Sequence, residues 1–137
     1  MTIPDHLRRH STRQAIDALA ARFDLPNHPG MQDWEWEVAD PSRLDEFIAA
    51  YEAGGLSEDE RFTLMETIIQ SFEDGDQAPE RDPRWAHVLG LLDRNVGLHG
   101  PSIWYWSAPE NDARRETFRV SLTIRDVLAK HRAWLQR

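Results

Sequence analysis

The sequence has no cysteine, a single lysine, and no apolar run near the roughly 20 residues that span a bilayer. Without cysteine there can be no disulfide framework, thiolate nucleophile or cysteine-ligated zinc. The first residues, Met1-Thr2-Ile3-Pro4-Asp5-His6-Leu7-Arg8-Arg9, lack a signal peptide's apolar stretch and small-residue cleavage site. The expectation is therefore a cytoplasmic protein. Positive charge is also scarce: 16 bases stand against 24 acids, a net charge of -8. That balance argues against nonspecific nucleic-acid binding, which needs clustered cations to displace counterions from phosphates. Several catalytic and ligand-binding signatures are missing as well. There is no phosphate-binding glycine loop, His-Glu-x-x-His or calcium loop, and no serine sits in a glycine-framed elbow. Neither a cofactor nor a metal is expected, and a non-enzymatic role is favoured.

What is present is ordinary globular composition, 40% hydrophobic and 29% charged over 137 residues. That length suits one domain spanning residues 1–137, with residues 1–10 as a flexible arm or a frayed helical extension. The charge is unevenly placed. Residues 33–80 hold fifteen acids against Arg43 and Arg61, a balance of −13, whereas residues 81–137 hold ten bases against six acids, a balance of +4. An acidic segment of this kind steers a basic partner.

Apolar periodicity of 3.6 recurs along the chain. Ser11-Thr12-Arg13-Gln14 fits a capping box ahead of Ile16, Leu19, Ala20 and Phe23, with Pro26 as the stop. Asp40-Pro41 opens a helix with Leu44, Phe47, Ile48 and Tyr51 inward, ended by Gly54-Gly55. Ser57-Glu58-Asp59-Glu60 is a second capping box. It starts the expected central helix, whose inner face carries Phe62, Leu64, Met65, Ile68, Ile69 and Phe72. Asp82-Pro83 caps a helix with Trp85, Val88, Leu89 and Leu92 inward, ending near Asn95 and Gly97. Residues 102–106 fit either a short helix or a strand. Pro109 to Arg115 is an expected exposed loop, and a last helix starts near Ser121 after a short extended run. Asp33-Trp34-Glu35-Trp36-Glu37-Val38 alternates with period two and reads as one short extended segment at 34–38. The expected fold is all-α, about five helices, with successive pairs able to stack α on α. A small α+β domain is the alternative, if 34–38, 103–107 and 118–124 pair as strands.

Two features stand out as candidate sites. Asp59, Glu66 and Glu73 repeat every seven residues on the expected outer, solvated face of the central helix. The clusters Trp34/Trp36 and Trp104/Tyr105/Trp106 either roof the core, with their indole N–H groups partnered, or supply flat aromatic surface, which suits interface hot spots or, beside carboxylates, a sugar or cation. Trp34, Trp36, Asp59, Glu66, Glu73, Trp104 and Trp106 are thus the candidate partner-binding residues. His99, beside Gly100-Pro101, is a weaker candidate catalytic group, and His6 and His10 share a helical spacing that can hold a metal. Three functions fit. The first is an acidic protein-interaction domain that meets a basic partner, a toxin-neutralising immunity protein being one concrete case. The second is a small-molecule binder or hydrolase with a tryptophan-lined cleft. The third is a structural, oligomer-forming domain.

Overall fold

The computed structural model describes residues 4–108 and 118–136. The loop expected at Pro109–Arg115 lies outside the described residues. No strand occurs among them, so the α+β alternative falls, and seven α-helices replace the expected five or so. They are α1 (Arg13–Phe23), α2 (Trp34–Glu37), α3 (Leu44–Ala53), α4 (Glu58–Glu73), α5 (Pro83–Arg94), α6 (Val96–Ser107) and α7 (Ser121–Leu135). The chain divides into two compact units, one continuous over His10–Asp74 and one assembled from Met1–Arg9 with Gly75–Arg137.

In the His10–Asp74 unit, α4 is central, and α1, α2 and α3 all pack against it. Its start is written by the Ser57/Glu60 capping box, with both reciprocal bonds formed. Every residue from Phe62 to Ile69 is buried. The α1 cap is Thr12 rather than Ser11, its hydroxyl accepting from the Ala15 N–H. The helix ends one turn before Pro26, where Asp24 adopts φ 54. Phe23 and Phe47 meet edge to face at 5.1 Å, and the Arg43 guanidinium lies over both rings while donating to the Phe23 carbonyl.

The segment expected to be extended is the single-turn helix α2. An isolated extended run would leave its backbone groups without a ladder partner, whereas a turn satisfies them locally. Trp36 N and Glu37 N both donate to the Asp33 carbonyl, and the Glu37 carboxylate accepts from the Asp33 N–H. Trp34 and Val38 are four apart and both buried, so the helical period takes the apolar residues that a period of two had claimed.

In the other unit, α6 and α7 form the main packed pair and α5 lies against both. Residues 102–106 are helical because α6 runs on through Pro101. A proline there removes one backbone bond and normally costs about 3 kcal/mol, so packing decides the outcome. Leu98, His99, Gly100, Ser102, Ile103, Trp104 and Trp106 are all buried. Residues 118–120 form a turn, and α7 starts at Ser121, whose hydroxyl accepts from Phe118 N and donates to the Trp106 carbonyl. Arg125 donates to the Ser107 and Ala108 carbonyls and so satisfies the end of α6. Residues 4–10 do not continue α1, which begins at Arg13. Asp5–Leu7 forms a 3-10 turn with Leu7 buried, and His6 Nε2 lies 2.7 Å from the Leu135 carbonyl.

Candidate protein-interaction surface

The expected outer face of α4 is not one solvated stripe. Seven residues of α-helix advance about 10 Å, so Asp59, Glu66 and Glu73 follow one side of the helix along roughly 20 Å. Asp59 and Glu73, in the first and last turns, are half-buried, whereas Glu66 between them is 5% exposed. The cause is α2. It lies across the middle of this side, and Trp36 Nε1 donates to Glu66 Oε1 at 3.2 Å.

A polar seam fixes α2 there. The Thr67 hydroxyl donates to the Glu35 carbonyl at 2.7 Å. The Ser71 hydroxyl donates to the Thr67 carbonyl and accepts from Asp40 N. Trp34 Nε1 donates to the Pro26 carbonyl. Thr63, Glu66, Thr67 and Ser71 are all buried, and the Thr63 hydroxyl has no hydrogen-bond partner. Beside the seam, burial lifts the Glu35 carboxyl above its ordinary value, and Asp33 pushes the same way. The backbone, the Ser11 hydroxyl and the charge of His10 act against that shift.

The tryptophans offered as candidate contact residues are mostly buried. Trp34, Trp104 and Trp106 are 3%, 2% and 1% exposed, and only Trp36 of the four reaches solvent, as a half-buried ring. His99 is fully buried in α6, and His6 is engaged at the end of α7. Among the described residues no three His, Asp or Glu side chains come together as a metal site. No helix among them is long and apolar enough to cross a membrane.

Sequence reasoning missed the acidic face that is open. On α3, Asp45, Glu46 and Glu52 are exposed, and Asp45 and Glu52 share a face at a spacing of seven. Glu58, in the first turn of α4, is exposed as well. The signal was available: Leu44, Phe47, Ile48 and Tyr51 point inward, which sends 45, 49 and 52 outward. The Arg43 guanidinium hydrogen-bonds Glu46 and holds its carboxyl below the usual range. The charge also follows the two units. His10–Asp74 carries fifteen acids and four arginines, a balance of −11, while the discontinuous unit carries nine acids and twelve bases, a balance of +3. Tyr105, Leu122 and Trp134 are the large apolar residues left exposed among those described, and all three belong to the discontinuous unit. Compared with models of protein families, with curated proteins and with solved structures, the chain finds no match.

Proposed function

We propose that the His10–Asp74 unit is a protein-docking module that presents an acidic face to a basic polypeptide, as a neutralising or immunity-type protein would. The observation that carries this reading is the exposed carboxylate set Asp45, Glu46, Glu52 and Glu58 on a unit whose balance is −11. Such a surface raises the encounter rate with cations and repels nucleic acid. The contact centre moves from the buried tryptophans to the outward face of α3 and the start of α4. Trp36 adds a half-buried aromatic edge on the same unit.

The test starts from affinity capture at low salt, followed by purification of any basic polypeptide retained. Association of the purified pair should slow about tenfold or more between 50 and 500 mM salt. The double variant Asp45→Lys/Glu52→Lys should slow it by a comparable factor while leaving the melting temperature within a few degrees. Capture that is indifferent to salt, or a double variant that binds as fast as the parent, would refute the proposal.

A further inference from the structure

We propose that residues Pro4–Arg8 are a latch, a turn that opens and recloses as a unit over an apolar slot between α6 and α7. The turn is organised by itself. Leu7 N donates to the Pro4 carbonyl, Arg8 N to the Asp5 carbonyl, and the Arg8 guanidinium pairs with the Asp5 carboxylate at 3.0 Å. None of these bonds ties it to the rest of the protein, and Asp5, His6 and Arg8 are exposed.

Two described contacts hold the latch down. One is the Leu7 side chain, 4% exposed. It sits where α6 has no side chain: a Cβ at Gly100 would lie 3.0 Å from Leu7 Cδ2 and 2.9 Å from Leu135 Cδ2. Gly100 is thus the floor of the slot and Leu135 a wall. The other is His6, whose Nε2 donates to the Leu135 carbonyl at the C-terminal end of α7. A carbonyl there has no partner within the helix, and an imidazole N–H supplies one.

A segment that is internally bonded and attached at a leucine and a histidine has the makings of a local opening unit. Opening frees the Leu135 carbonyl and uncovers the slot, while α5, α6 and most of α7 keep their mutual packing. The occupant of the slot is the chain's own leucine.

Native-state amide hydrogen exchange on the full chain tests this. In the unaltered protein the Leu7 and Arg8 amides should exchange at least about tenfold faster than those of Ile124 and Val127. Leu7→Ala should raise exchange at Leu135 and Gln136 by about tenfold or more and change α5 and the first turns of α7 by less than about twofold. His6→Ala removes one part-buried hydrogen bond, so it serves if Leu7→Ala does not fold; a rise of about 2–10-fold confined to the same amides is expected. A uniform rise across α5–α7 would make residues 4–8 part of the indivisible core and overturn the latch. Unchanged exchange at Leu135 and Gln136 would overturn it equally.

Discussion

Thr63 and Thr67 stand one turn apart on α4, both buried, and differ in one respect. The Thr67 hydroxyl donates to the Glu35 carbonyl at 2.7 Å, whereas the Thr63 hydroxyl has no partner. Valine matches threonine closely in shape, and both are β-branched, so helix propensity changes by no more than a few tenths of a kcal/mol. Thr67→Val therefore isolates a hydrogen bond. It leaves the Glu35 carbonyl without this donor beneath α2, a loss of about 1–3 kcal/mol. Thr63→Val replaces a desolvated, unbonded hydroxyl with a methyl group, and the change should be neutral or stabilising by about 1 kcal/mol. Urea denaturation followed by tryptophan fluorescence reads both. The midpoints should move apart with unchanged slopes, which assigns the difference to stability rather than compactness. Equal destabilisation by the two substitutions would show that the seam is not what holds α2 on α4. A neutral Thr67→Val would show the same.

Glu35→Gln should stabilise the protein at neutral pH. Burial raises the carboxyl's pKa in the folded state above the ordinary 4.5, so folding binds a proton that the unfolded chain releases. Stability therefore falls as pH rises from about 4.5 through the raised value, and glutamine removes that loss. Melting curves at pH 7 and pH 4 check it; the variant's advantage should be present at the first and vanish at the second. Gly100→Ala tests the slot floor. The added methyl meets Leu135 and Leu7 at about van der Waals overlap, a cost of about 1–3 kcal/mol, against a helix-propensity gain near 1 kcal/mol. A net loss of up to about 2 kcal/mol by urea titration is expected, and a net gain would mean that Leu7 moves aside freely.

Helices with long apolar faces and strong caps were legible in the sequence. Ser57/Glu60, Asp82-Pro83 and Gly54-Gly55 all act at the ends the residue types imply, because capping is a local matter of a few side chains and N–H groups. Elements decided by distant partners were not. The alternation of Trp34, Trp36 and Val38 pointed to a strand, but what fixes that segment is Thr67, Glu66 and Ser71, some thirty residues away. Residues 102–106 stayed open between helix and strand because the packing beside Gly100, from Leu7 and Leu135, comes from positions far away in the sequence. For the same reason Glu66 read as solvated: its heptad spacing was correct, but the helix that covers it could not be seen.

The latch joins residues 4–8 to Leu135, and that sets an order of events. His6 bonds to Leu135 across 129 positions, while every helix packed on α4 within residues 10–74 is encoded in one stretch. At translation rates of about 5–20 residues per second, Leu135 is added roughly 3–12 s after Asp74. During that interval the acidic unit has all its own sequence, and Leu7 is still without its seat. Residues 4–8 are made before that unit and seated only after it is complete.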